Sequence, residues 1–256
     1  ESIGRELRKE IGIPVIGITG SVGKTSAKEM IWSVLSQRMN VHKTDKNLNN
    51  QIGVPMTMSR ITDEHQAAVV EMGISGFGEM SILAQMVRPQ IAVFTVIGHA
   101  HLEFLHDLQG VFKAKTEMLE YMDDDALVIV NGDDELLNAL SCRQRKLTFG
   151  MGAHCDVRAE NVCLNERGES CCRIVYGDRY FDVIIPAFGE HMVYAALEGA
   201  AVGMEMGLSD EEIIRGIAAY ETVGRRAALV NTGYVTLIDD CYNANPVSMM
   251  AAIDIL

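Results

Sequence analysis

No apolar run in the 256 residues is long enough to span a bilayer, and no charged n-region, apolar core and cleavage site stand at the start. A membrane-spanning or exported protein is therefore not expected, and the cytoplasm is the expected compartment. Basic residues are in deficit, with 22 Lys and Arg against 35 Asp and Glu and a formal net charge of -13. Nucleic-acid surfaces need clustered Lys and Arg, which this chain lacks, so no nucleic-acid partner is expected, although a local basic site for a nucleotide remains open. The cysteines Cys142, Cys155, Cys163, Cys171, Cys172 and Cys241 include no C-x-x-C pair, and no histidine stands at zinc-finger spacing. That pattern argues against a structural zinc site and for reduced thiols, with adjacent Cys171 and Cys172 on opposite faces of a strand. There is no initiator methionine, and residues 1–12 read as a helix end and a linker from something upstream.

What is present suits an enzyme-like globule, 48% hydrophobic and 22% charged. The most informative stretch is PVIGITGSVGKTSAKEMIWSVL, from Pro14 to Leu35. An apolar run breaks into a glycine-rich turn carrying Lys-Thr and resumes with helical spacing. That order is the grammar of a phosphate-binding loop: Gly20 and Gly23 let successive N–H groups face one anion, and the helix starting near Lys24 adds its positive end. Lys24 would hold the outer phosphates and the Thr25 hydroxyl would coordinate Mg2+. The first glycine of G-x-x-x-x-G-K-[ST] is missing, because Ile18 stands there.

Strands and helices then alternate. Residues 65–73, 91–97 and 126–132 read as buried strands, and helices are expected near Glu79–Val87, from Leu108 to Tyr121 and from Asp134 to Leu140. Such alternation means an α/β fold of the P-loop type, a mostly parallel sheet with helices on both faces. Between about residues 145 and 185 short strands and turn residues replace it, which predicts a small antiparallel β insertion. Two helices follow, over residues 189–207 and 208–220, the second opened by a Ser209/Glu212 capping box. A strand over 234–240 and a helix starting at Asn245-Pro246 close the chain.

In doubly wound sheets ligands bind beyond the carboxyl ends of the strands, where this chain places Glu71, His101 and Asn131-Gly132-Asp133-Asp134. A carboxylate and an imidazole beside a triphosphate loop suit a second divalent cation. Taken singly, Glu71 also reads as a helix cap or solvated loop charge, and His101 as a satisfied loop residue.

The chain resembles the Mur ligases, ATP-dependent amide-forming ligases of peptidoglycan synthesis. The resemblance is carried by TGSVGKTS (19–26), whose spacing in the family also lacks the first glycine, and by NLNNQIGVP (47–55), VVEMG (69–73), AHLE (100–103), KAKTEM (113–118), VNGDD (130–134), GEHMVYAAL (189–197), VGRR (223–226) and DDCYNANPVSM (239–249), in family order. It is weakest between Cys142 and Ile185. It implies that residues 13–226 are a central ATP-binding domain and that 227–256 begin an incomplete C-terminal domain, with a missing N-terminal domain before residue 13. The implied reaction transfers the γ-phosphate to a peptide carboxylate, and the incoming amine attacks the acyl phosphate. Partners follow from the member it most resembles: a UDP-N-acetylmuramoyl-tripeptide and D-alanyl-D-alanine, used by a monomer.

The resemblance also implies roles. Thr19, Gly20, Ser21, Val22, Gly23, Lys24, Thr25 and Ser26 line the ATP phosphates, with Asn131, His191, Arg225 and Asp240 as further nucleotide contacts. Thr25 and Glu71 ligate Mg2+, and His101 ligates a second Mg2+. Lys115 matches a lysine many members carry as an N-carbamate, an anionic oxygen donor where an ammonium would repel the metal. Its other reading is a solvated helix lysine; Lys113 and Lys115 lie on different faces, so at most one points into the site. Lys24, Lys115 and His101 are thus the catalytic candidates. Where relatives often read G-x-H-N-x-x-N, this chain has Met192 and Ala195 at the asparagine positions. Either a backbone amide replaces those adenine contacts or base selectivity is looser. Other readings are a cyanophycin-synthetase or folylpolyglutamate-synthase type of ligase, or a chain that binds nucleotide without catalysis.

Overall fold

A computed structural model describes residues 6, 8–187, 189–223, 228–239, 249, 250 and 253. Arg225 and Asp240 lie outside them. A nine-stranded sheet runs in the order β2-β3-β1-β4-β5-β6-β7-β8-β9. Its strands are β1 (Val15–Thr19), β2 (Val41–Lys43), β3 (Ala67–Glu71), β4 (Ile91–Phe94), β5 (Leu127–Asn131), β6 (Arg145–Gly150), β7 (Val157–Leu164), β8 (Ser170–Tyr176) and β9 (Arg179–Ile185). Every pairing from β2 to β7 is parallel, and β7-β8 and β8-β9 are antiparallel. The antiparallel part expected over 145–185 therefore extends the main sheet, and its first strand is parallel to β5. A separate hairpin pairs β10 (Ala228–Asn231) with β11 (Thr236–Asp239).

The helices are α1 (Lys24–Leu35), α2 (Gly53–Met58), α3 (Glu79–Val87), α4 (Leu102–Leu105), α5 (Leu108–Thr116), α6 (Glu135–Asn138), α7 (His191–Glu205) and α8 (Asp210–Ala218). The helix expected to reach Tyr121 tightens into a 3-10 turn over Glu117–Tyr121. The expected start at Asp134 is the cap of α6, its carboxylate accepting from Leu136 and Leu137 N–H. Ser209 and Glu212 form the predicted capping box of α8. The short β2 and α2 fall in a segment where no element was read.

Central strands are apolar on both faces because helices cover both. Ile16 and Ile18 of β1, Ile91 and Val93 of β4 and Leu127 and Ile129 of β5 join one core with α1, α7 and α8. Val15, Ala92, Phe94, Val128 and Val130 point the other way, into a second core with α2, α3 and α5. Close approach of α8 to α1 needs a glycine: a Cβ on Gly216 would lie 2.4 Å from Val34 Cα. Cys172 joins the first core while Cys171 does not, as their adjacency predicts. All five described cysteines are free thiols.

One buried acid has no place in this apolar scheme. Glu198 of α7 is buried, and desolvation raises its pKa well above the carboxylate range. The folded chain then holds a proton that the unfolded chain releases, so stability is full below the ordinary carboxylate pKa and falls as pH rises from there toward the folded value. Glu198→Gln is expected to be more stable than the parent at neutral pH and to show a flatter pH dependence, measured by urea unfolding from pH 4 to 8.

Candidate phosphate and metal site

The carboxyl ends of β1, β3, β4 and β5 meet at one edge of the sheet. The turn leaving β1 is anchored to the segment that follows β4: Ser21 N–H donates to Val96 O at 2.8 Å, and the Ser21 hydroxyl donates to Gly98 O and accepts from Gly98 N–H, both at 2.9 Å. Gly20 packs on Thr95, where a Cβ would come within 1.9 Å of Oγ1. Thr95 Oγ1 in turn donates to Val22 O at 2.5 Å. Gly23 caps α1 in the left-handed region at φ 83°. The loop is thus fixed by its own backbone and by Thr95, and α1 opens with the backbone N–H groups of Lys24, Thr25 and Ser26 at its positive end. The Lys24 ammonium donates to Gly20 O at 2.8 Å and lies over the loop. Thr19 differs from its expected place: its hydroxyl is buried at the end of β1, with no partner among the described residues.

One residue into the helix, Thr25 Oγ1 donates to Glu71 Oε2 at 3.0 Å. Glu71 ends β3, opposite Ile18 of β1, and is only 2% exposed. Its other oxygen accepts from Asn49 Nδ2 at 2.7 Å, and its backbone N–H donates to Thr44 Oγ1 at 2.9 Å. Lys28, one turn after Lys24 on α1, supplies the countercharge: its Nζ lies 3.8 Å from Glu71, 3.0 Å from Glu29 and 2.9 Å from Thr44 O. Lys43 pairs with Glu29 from outside and stacks over Trp32, 3.4 Å from the ring centroid. Lys28, Glu29, Thr44 and Asn49 were not found by sequence reasoning. The helical spacing of Lys24 and Lys28 was the one available signal.

Across the loop the groups are basic. Lys115, near the end of α5, is 2% exposed while Lys113 is exposed, so Lys115 is the lysine that turns inward. Burial, and then the nearby Lys24, hold its pKa well below the usual lysine value. No carboxylate pairs with it among the described residues. His101 caps α4 at φ 54°, a rare conformation for a side-chain-bearing residue. Burial lowers its pKa, followed by Lys115 and Lys24, which keeps the ring neutral and able to ligate. Lys24 and Lys115 thus both act on His101, and Lys24 acts on Lys115.

The fit to the implied groups is good. N–H donors at a helix start, a glycine turn and a lysine suit a polyphosphate, and hydroxyl plus carboxylate suit Mg2+. Asn131 ends β5, two strands away from β1, and its Oδ1 accepts from Asp133 N–H at 3.0 Å to shape the next turn. His191 opens α7 and is exposed. Met192 and Ala195 are buried in the core, so neither presents a group where the asparagines were looked for. Tyr194 does: one turn on from His191, its hydroxyl donates to Asp133 Oδ2 at 3.0 Å.

The Mur ligase middle domain matches residues 18–203. The UDP-N-acetylmuramoyl-tripeptide--D-alanyl-D-alanine ligase of Bacillus subtilis is 36% identical over all of this chain and 55% of its own length. That of Escherichia coli is 36% identical over 98% of the chain and 56% of its own. A crystal structure of MurF from Acinetobacter baumannii superposes with a TM-score of 0.94 at 32% identity, over 99% of this chain and 56% of that one. MurF ligase from Thermotoga maritima in complex with ADP gives 0.90 at 26% identity, over 99% and 59%. The chain thus spans a little over half the length of these relatives. Among the described residues no helix is long and apolar enough to cross a membrane.

Removing Lys28 would leave Glu29 and Glu71 buried with one partner fewer. Lys28→Met is expected to cost about 3–5 kcal/mol of unfolding free energy. Adding Glu71→Gln is expected to restore part of it, read by urea denaturation of the single and double variants.

Proposed function

This chain belongs to the Mur ligase family, and we propose that it is the ATP-binding part of a ligase that joins D-alanyl-D-alanine to a UDP-N-acetylmuramoyl-tripeptide through an acyl phosphate. The observation that carries the reading is the 3.0 Å contact between Thr25 and Glu71 directly behind Lys24, which brings a metal-binding oxygen pair to the mouth of a phosphate loop. The names of the relatives, at 36% identity, support the substrates. ATP and reduced thiols agree with a cytoplasmic location.

In this reading the N–H groups that open α1 and the Lys24 ammonium hold the β- and γ-phosphates. Thr25 and Glu71 hold one Mg2+; His101 and carbamylated Lys115 hold a second. The metal, when bound, neutralises charge on the transferring phosphoryl group. Lys24 provides fixed positive charge on the same group, so the acceptor carboxylate, itself an anion, can approach the phosphorus. Asn131, His191, Arg225 and Asp240 are assigned to the nucleoside end. Lys115 suits the carbamate because an uncharged, buried amine is the form that adds CO2, releasing a proton, and the product carries the negative charge that Lys24 and His101 lack.

Calorimetric titration tests the nucleotide assignment. ATP binding is expected to need Mg2+ and to weaken at least about tenfold in Lys24→Ala, a loss of 1.4 kcal/mol or more; equal affinity in the variant would sink it. The carbamate is read separately. Protein equilibrated with 13C-bicarbonate is expected to show a carbamate resonance that Lys115→Arg lacks, and its absence from the parent chain overturns that assignment.

A further inference from the structure

We propose that Asp133, His154 and Cys155 form a further cation site, apart from the two proposed for Mg2+ and selective for a borderline-soft divalent ion such as Zn2+. One ligand atom from each of the three side chains, a ring nitrogen in the case of His154, lies within 4.8 Å of the other two. Tetrahedral zinc, with Zn–S near 2.3 Å and Zn–N and Zn–O near 2.0–2.1 Å, holds its ligands ~3.5 Å apart. Closing the difference takes side-chain rotation of an ångström or so. The pair Cys155 Sγ and Asp133 Oδ1 is already at 3.9 Å. A thiol, an imidazole and a carboxylate together favour Zn2+ over Mg2+, which wants oxygen alone.

Each of the three is held as a ligand would be. His154 Nε2 is 2.9 Å from Gly132 O, and a carbonyl can only accept, so Nε2 carries the proton and Nδ1 keeps its lone pair. Metal-bound histidines make that same second hydrogen bond. The Asp133 carboxylate is aimed by backbone N–H groups, Met151 on Oδ2 at 2.6 Å and Gly152 on Oδ1 at 2.9 Å, and by the Tyr194 hydroxyl on Oδ2. Cys155 is 3% exposed. Burial, then Asp133 and Asp156, push its thiol up to about 11.

The backbone has been cleared for these side chains. A Cβ on Gly132 would lie 2.6 Å from Cys155 Sγ, and one on Gly150 would lie 2.5 Å from Asp133 Oδ2 and 2.8 Å from Cys155 Sγ. One on Gly152 would lie 2.6 Å from His154 Nδ1 and 2.8 Å from Asp133 Oδ1. None of the three glycines has a positive φ, so space rather than backbone conformation calls for them. Asp133 and His154 are exposed, which leaves one face open to solvent and the fourth coordination position for water. On binding, Cys155 gives its proton to solvent and its sulfur lone pair to the metal; neither of the other ligands changes protonation.

The test uses the whole chain, stripped of metal, with excess Mg2+ present to occupy the oxygen-donor site. Zn2+ is titrated against a chromogenic chelator, and Co2+ is titrated while the sulfur-to-cobalt charge-transfer band is followed. One equivalent of Zn2+ and a thiolate band are expected. Cys155→Ser is expected to abolish the band and His154→Ala to weaken Zn2+ at least tenfold, the usual effect of losing a ligand or its support, while Cys163→Ser keeps both. His154 is exposed, so its variant reports even where Cys155→Ser fails to fold. A chain that takes up no Zn2+, a band that survives Cys155→Ser, or unchanged affinity in His154→Ala overturns the site.

Discussion

A carboxylate buried at the end of β3 needs a countercharge, and the way Glu71 gets one organises the edge of the sheet. Lys28 reaches it from α1, the same helix whose first turn carries Lys24 and Thr25. Register between loop and strand is therefore set by electrostatics as well as by packing. If α1 shifted by one residue, Lys28 would leave Glu71, whose buried negative charge would lose its countercharge, which costs several kcal/mol. Thr44, which accepts from the Glu71 backbone N–H, and Asn49, which donates to its carboxylate, tie the segment between β2 and α2 to the same residue. Three stretches distant in sequence are thus locked around one residue, and the pair of oxygens they leave in place, on Thr25 and Glu71, is what a hard cation requires.

The other side of the loop is built on the opposite imbalance. Lys24, Lys115 and His101 are mutually repulsive in their charged forms, and burial depresses the pKa values of Lys115 and His101. Backbone strain at His101 and His106, both at positive φ, holds the connection after β4 in the shape that turns His101 toward Lys115. Strain of this kind persists only where surrounding structure over-determines it. Here that structure is the tight corner between α4 and α5, where a Cβ on Gly110 would lie 1.8 Å from Leu105 O. A basic cluster opposite a carboxylate, separated by a loop of N–H donors, is complementary to a polyphosphate carrying its cation and to little else.

Much of this was legible because the devices are local. Apolar runs alternating with helical periodicity gave the parallel sheet, and Gly-x-x-Gly-Lys-Thr after a strand gave the loop, since both follow from short-range geometry. Helical spacing said only that at most one of Lys113 and Lys115 turns inward; the choice of Lys115 came from the resemblance. What escaped is what depends on tertiary neighbours. Lys28 and Glu29 look like any charged pair on a helix until β3 is placed beside them, and β2 and α2 are too short to show a period. Met192 and Ala195 read as lost base contacts, yet they lie in the core. The polar group at that end of α7 is Tyr194, invisible as a site residue until Asp133 is seen to accept its hydrogen bond.

The two ends of this sheet edge, the loop after β1 and the turn after β5, are consequently built on different physics. At the phosphate end, every contact is to a group fixed by secondary structure or by a buried charge pair, so its geometry is rigid before anything binds. At the β5 end, Asp133 is the junction: it draws together the turn after Asn131, the segment 151–155 and the first turns of α7 through Tyr194. Asp133 is exposed, and its bonds to Met151, Gly152 and Tyr194 come from three separate residues. Whatever alters the charge on that carboxylate alters the position of Tyr194 and the helix start beside His191. The contacts at the end of β5 thus meet on one exposed carboxylate, whereas those around Glu71 rest on buried charges.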